Sequence, residues 1–171
     1  MTDWSVIHSS EDSTWRTPPD LFAALDREFE FEVDAAAYAC SALCSDYFGP
    51  DHFDPDKRDA FAATWPKCAI WLNPPYGREV GRWMDMAWRW SQLGSTVVLL
   101  VMACTDTAWW HDYAAKADEI RLIRGRIRFL RGDSGKPAAA APKGSALVVF
   151  RPPVPEAGWP GGPRFVHWVQ P

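Results

Sequence analysis

Apolar residues in this chain recur with two different periods. Leu21, Phe22, Leu25 and Phe29 stand at helical spacing behind Thr17-Pro18-Pro19-Asp20, a hydroxyl followed by prolines that a first helical turn tolerates. Val80, Trp83, Met84, Ala87 and Trp88 repeat that spacing and run out at Gly94, a residue suited to closing a helix. Between them lie short β-rich runs: Phe31-Glu32-Val33 ending at Asp34, then residues 68–72. Thr96 to Met102 is apolar without alternation, which predicts a strand buried on both faces. Thr105 and Asp106 stand where they would cap a helix reaching about Ala117. Ile120 to Ile123 reads as a strand that Arg126 to Leu130 continues or leaves for a neighbour, and Ala146 to Phe150 reads as the last strand. Turn formers mark Tyr47 to Lys57 and Gly132 to Gly144 as loops.

The order predicts an α/β fold: a mostly parallel central sheet, helices on both faces, and a terminal antiparallel strand pair. Such sheets bind ligands at the carboxyl ends of their strands, where Asp34, Asn73 and Thr105-Asp106 all fall. The length of 171 residues suits one core. The expected organisation is a flexible N-terminal segment over 1–14, a domain over 15–151 and a Pro/Gly-rich tail over 152–171. Phe165, Val166, Trp168 and Val169 would let that tail dock on the body.

Composition narrows the class. Met1-Thr2-Asp3-Trp4 opens with an acid, and the longest apolar run, Val97 to Cys104, is too short to cross a bilayer. The expectation is a soluble cytoplasmic protein with no membrane partner. Its four cysteines form no CxxC pair and its four histidines are dispersed, so no metal site is expected. The net charge of −4 conceals a gradient: residues 1–60 carry 4 Lys and Arg against 14 Asp and Glu, and the rest of the chain is basic. Arg121, Arg124, Arg126, Arg128 and Arg131, interleaved with apolar residues, can track a phosphate backbone or form a solvated edge.

The candidate chemistry sits at Asn73-Pro74-Pro75-Tyr76, directly after the apolar run Ala69-Ile70-Trp71-Leu72. Two prolines cannot extend a strand, and they hold a rigid loop whose carbonyl oxygens are left as acceptors. The Asn73 side chain adds an acceptor and Tyr76 a flat face, which together suit a planar group bearing an exocyclic NH2.

In this light the chain resembles the phage-type DNA N6-adenine methyltransferases, the phage Dam family, over roughly residues 15–150. The carriers are Trp15-Arg16-Thr17-Pro18 with Leu21-Phe22, Phe31-Glu32-Val33-Asp34-Ala35-Ala36, Tyr47-Phe48, and Asp59-Ala60-Phe61 with Trp65. Further on come Trp71-Leu72-Asn73-Pro74-Pro75-Tyr76-Gly77, Thr105-Asp106-Thr107 with Trp109-Trp110-His111, and Gly125-Arg126-Ile127-Arg128-Phe129. The resemblance implies a Rossmann-like fold binding S-adenosyl-L-methionine (SAM) and a site-specific enzyme that methylates N6 of a DNA adenine flipped out of the duplex. It implies Asn73, Pro74, Pro75 and Tyr76 as the catalytic loop. It also implies cofactor contacts from Thr17, Pro18, Asp34, Ala35, Ala36 and Asp59, and a phage or prophage source acting in a bacterial cytoplasm. Arg78, Arg124, Arg126 and Arg128 are the candidates for DNA contact.

Two positions depart from the pattern. The turn after the first strand reads Asp34-Ala35-Ala36-Ala37 where most SAM enzymes are Gly-rich, and Ser41 stands where the phage group often has Asn. Other substrates with a planar NH2, an RNA adenine or a protein glutamine amide, suit the same loop. A catalytically silent DNA-binding or protein-interaction module is the alternative of a different class.

Overall fold

The computed structural model describes residues 15–132, 134–154 and 162–169; the segment expected to be flexible, residues 1–14, lies outside them. The chain opens with β1 (Trp15–Arg16), α1 (Pro19–Phe29), β2 (Val33–Asp34) and β3 (Asp46–Tyr47). β4 (Ala69–Leu72), α2 (Val80–Gln92), β5 (Thr96–Met102) and α3 (Ala108–Asp112) follow. β6 (Glu119–Arg124), β7 (Leu130–Arg131), β8 (Ser145–Phe150) and β9 (Arg164–Val169) complete the series.

Seven strands form one sheet in the order β3-β2-β4-β5-β8-β6-β9. All described pairings in it are parallel except those of β8, which runs antiparallel to both β5 and β6. β1 and β7 form a separate antiparallel pair, Trp15 opposite Arg131 and Arg16 opposite Leu130. The period of two along each strand sends alternate residues to opposite faces. Ile70, Leu72, Val97, Leu99 and Val101 meet Val80, Trp83, Met84 and Ala87 of α2 on one face. Trp71, Val98, Leu100, Leu147 and Val149 meet Leu21, Phe22 and Leu25 of α1 on the other. Helices on both faces explain why Thr96 to Met102 reads as a continuous apolar run: β5 has no solvent side. The expected α/β class and mostly parallel sheet stand.

Four local expectations need correction. Arg126 to Leu130 neither continues β6 nor joins the main sheet. Gly125, at φ 85°, turns the chain away; Leu130–Arg131 pairs with β1, and Leu130 also bridges Pro137. The helix from Thr105-Asp106 to Ala117 is α3 alone. Thr107, not Thr105 or Asp106, precedes it, and its hydroxyl donates to the Cys104 carbonyl (2.7 Å) instead of capping. Tyr113 leaves the helical region at φ −124°, and a 3-10 turn, Ala114–Lys116, follows. Residues 146–150 are not the last strand. Within the segment assigned to a tail, Arg164–Val169 pairs with all of β6, and Arg164 Nη2 donates to Glu119 Oε2 at 2.8 Å. Finally, Arg121 cannot track a phosphate backbone: it is buried, bidentate to Glu28 (2.5 and 2.6 Å), with Nε on Glu119 Oε1 (2.6 Å).

The edge at β2 and β3 is tightly built. Ala37 N–H donates to the Phe48 carbonyl (3.0 Å) and Phe48 N–H to the Asp34 carbonyl (2.9 Å). A Cβ on the next residue, Gly49, would stand 1.8 Å from the Ala37 carbonyl oxygen. Gly49→Ala should therefore push the two segments apart and lower stability by about 2 kcal/mol. Denaturant titration measures this, and an unchanged midpoint would mean the loop shifts freely.

Candidate active site

A cleft of about 800 Å³ opens at the carboxyl ends of β2 and β4. Asn73 follows the last residue of β4, so the strand itself aims it there. Its Nδ2 donates to the Trp15 carbonyl at 2.8 Å, which orients the amide, while Oδ1 is buried with no partner. An unsatisfied buried acceptor costs on the order of 1–3 kcal/mol. Two more such atoms belong to residues lining the same cleft, the Thr17 hydroxyl and the Trp71 indole N–H. An acceptor, a donor and a hydroxyl thus stand ready for a polar ligand.

Pro74 is buried and Pro75 exposed, and both line the cleft. Tyr76 is the neighbour that does not. Its ring meets Phe129 edge-on (5.8 Å between centroids, 74°), and its hydroxyl is buried without a partner. Burial holds that phenol well above its ordinary pKa.

The cofactor candidates divide in the same way. Thr17, Asp34, Ala35, Ala36 and Asp59 line the cleft, whereas Pro18 stands beside it. Pro18 occupies the N-cap position of α1, whose start carries no side-chain cap, so the Thr17 hydroxyl does not serve the helix. Asp34 is buried; its carboxylate accepts from the N–H groups of Leu43 (3.2 Å) and Ala36 (3.4 Å). Burial outweighs those bonds and pushes its pKa up to about 6. The Ala35 N–H donates to the Trp71 carbonyl (2.9 Å), pinning the Ala-rich turn to β4. Ser41 also lines the cleft, but its hydroxyl accepts from the Tyr38 N–H (3.1 Å) and donates to the Tyr38 carbonyl (3.2 Å), closing its own turn. Asp59 is exposed at the rim, where it accepts from the Phe61 N–H (2.9 Å).

Thr105 and Asp106, expected to converge with Asp34 and Asn73, are exposed and do not line the cleft. Arg78, Arg124, Arg126 and Arg128 are exposed outside it, Arg126 with Nη1 on the Ala141 carbonyl (2.9 Å). Among the described residues no three His, Cys, Asp or Glu side chains are grouped to hold a metal ion. No described helix is long and apolar enough to cross a membrane. Trp15, Arg16, Trp71 and Gly132, to which the sequence assigns no role, line the cleft, as does Arg131, which the sequence places with the arginines that can track a phosphate backbone. Trp71 has a signal, its place just before the Asn-Pro-Pro loop, and Arg131 has its place in the Arg-rich stretch; Gly132 has none.

The family model for DNA N-6-adenine-methyltransferase (Dam) matches residues 5–158. The chain belongs to the Dam family. It is 25% identical over 154 residues to the DNA N-6-adenine-methyltransferase of Escherichia phage T1, covering 80% of this chain and 62% of that protein. This Dam-family chain therefore spans less than two thirds of the relative's length. The matched residues include both the Asn73-to-Tyr76 loop and the Asp34 turn, and the fold brings Asn73, Pro74, Pro75 and Asp34 to one cleft.

Proposed function

We propose that this protein transfers a methyl group from SAM to N6 of a flipped-out adenine in DNA. The observation that carries the reading is the Asn73 amide, anchored through Nδ2 and left with a buried, unpartnered Oδ1 at the cleft. The cleft volume lies in the range of small-molecule sites. Asp34 supplies a buried negative charge suited to a cationic ligand, and Thr17 and Trp71 supply the unpaired hydroxyl and N–H that a carboxylate or ribose requires. Those residues, with Ala35, Ala36 and Asp59, are assigned to hold SAM. When bound, SAM supplies an electrophilic methyl on a sulfonium.

The chain's own work is acceptance and alignment. Adenine N6 is a weak nucleophile because its lone pair is delocalised into the ring. Asn73 Oδ1 and the Pro74 carbonyl are assigned to accept its two N–H groups, drawing the nitrogen toward a tetrahedral geometry that frees the lone pair. Positive charge developing on nitrogen meets acceptors already in place, which is preorganised electrostatic stabilisation. The rigid Pro74-Pro75 backbone fixes the approach. Tyr76, which packs edge-on against Phe129 beside the cleft, is assigned to stack on the extruded base, a role that requires its ring to turn toward the cleft.

Arg78, Arg124, Arg126 and Arg128, exposed and outside the cleft lining, are assigned to the DNA backbone. Neutralising Arg126 and Arg128 together should weaken DNA binding about tenfold at low salt and lower the salt slope by about two. Fluorescence titrations at several salt concentrations measure both, and an unaltered slope would return the pair to the solvated surface.

The deciding experiment is transfer of labelled methyl from SAM to unmethylated plasmid DNA, followed by nucleoside analysis. N6-methyladenine is the expected product. Label that enters RNA or protein amides instead would move the substrate, and SAM binding that cannot be detected would favour a silent module.

A further inference from the structure

Asn73 is the only asparagine in the chain, and what orients its amide is neither its own strand nor its own loop. The acceptor is the Trp15 carbonyl, fifty-eight residues away in sequence. β1, which carries Trp15, is two residues long and pairs only with β7 among the described strands. So short a strand does not hold its position by ladder bonds alone. Arg16 adds the missing ties. Its Nη2 donates to the Gly132 carbonyl (2.5 Å) and lies 3.4 Å from Cys40 Sγ, and its Nη1 donates to the Cys40 carbonyl (3.2 Å). One guanidinium thus fastens β1 to the loop after β7 and to the turn after β2, and all three segments line the cleft. Phe129 sits between the two parts to be aligned, 6.3 Å from the Trp15 ring and 5.8 Å from Tyr76.

We infer that the Trp15–Arg16 strand is a latch that sets the orientation of the Asn73 amide, with Arg16 as a positioning residue. The inference rests on the proposed role of Asn73 as acceptor for the adenine amino group. An amide that rotates by half a turn presents its NH2 to the substrate's NH2, donor against donor. The Trp15 carbonyl forbids that rotation, because it would face Oδ1, acceptor against acceptor, at hydrogen-bond distance. The latch also makes an amide obligatory at position 73: Asn73→Asp replaces the donor toward Trp15 with a second acceptor. Arg16 belongs to this arrangement without touching the reacting atoms.

Because the chain holds a single asparagine, incorporation of side-chain 15N-asparagine yields one NH2 group in the spectrum. In the unaltered protein one of its two protons should exchange slowly and resonate downfield of the other. Arg16→Ala should raise its exchange about tenfold and draw the two shifts together, with Arg16→Lys intermediate. Exchange that is the same in all three proteins would overturn the latch. Single-turnover methyl transfer gives a second, independent arm. Arg16→Ala should slow the chemical step about tenfold with SAM affinity within twofold, and should cause no further loss once Asn73→Asp has removed the bond. Losses that multiply would mean Arg16 acts directly on substrate, and the inference fails. If the unaltered protein transfers no methyl group, the proposed function falls, and the exchange measurement alone decides the latch.

Discussion

Asn73→Ala is expected to lower single-turnover methyl transfer to DNA about 10³-fold while SAM affinity stays within a few-fold. The size follows from what the substitution removes: an acceptor held in place before reaction, of the kind that contributes on the order of 10²–10³ to catalysis. Cofactor affinity is spared because the residues assigned to SAM, chiefly Thr17, Asp34, Ala35 and Ala36, belong to other segments of the cleft wall. The fold is spared because Ala removes an already unpartnered oxygen, and the Trp15 carbonyl that loses its donor is a single backbone group. Labelled methyl transfer and calorimetric titration with SAM, run on the same preparation, separate the two quantities. Transfer within tenfold of the unaltered protein would remove Asn73 from the reacting centre. A matching loss of cofactor affinity would move the loop to the wrong subsite.

The site was legible where chemistry is written in side chains at strand ends. Asn-Pro-Pro after a buried run is such a place, and the fold puts it at the cleft with Asp34 because parallel neighbours end at one edge. What escaped was written in the backbone or across long separations. The acceptor that orients Asn73 is a main-chain carbonyl on a two-residue strand, too short to show any period. Arg121 looked like part of a basic stripe because nothing local reveals that Glu28, ninety-three residues earlier, lies beside it. Thr17 illustrates the opposite case. Its position before two prolines fits a helix cap and a ligand contact equally well, and the uncapped start of α1 with an unpartnered hydroxyl separates the two. At Ser41, where the chain departs from the pattern that the resemblance implies, the hydroxyl is engaged by the Tyr38 backbone and closes a local turn.

Asp34 should make cofactor affinity depend on pH below neutrality, and Asp34→Asn should abolish that dependence. Burial pushes the carboxyl up to about 6 from an ordinary value of 3.8, against the opposing N–H groups of Leu43 and Ala36. Between about pH 4 and pH 6 the folded protein therefore keeps a proton that the unfolded chain has lost. Stability without ligand falls as pH rises through that window, by at most about 3 kcal/mol, and is level above it. A cation placed beside the carboxylate reverses the preference, since it favours the charged form that burial penalises. SAM carries both a sulfonium and an ammonium group. Its dissociation constant should then rise about tenfold for each pH unit below 6 and stay constant from about 6.5 to 8. Asn at this position keeps one acceptor for the turn but no charge, so affinity at pH 7.5 should fall about 10²-fold with a flat profile. Calorimetric titrations of both proteins from pH 5 to 8 measure this directly. If Asp34→Asn instead reproduces the affinity and profile of the unaltered protein, the carboxylate only bridges Leu43 to Ala36, and the cation of the cofactor lies elsewhere in the cleft.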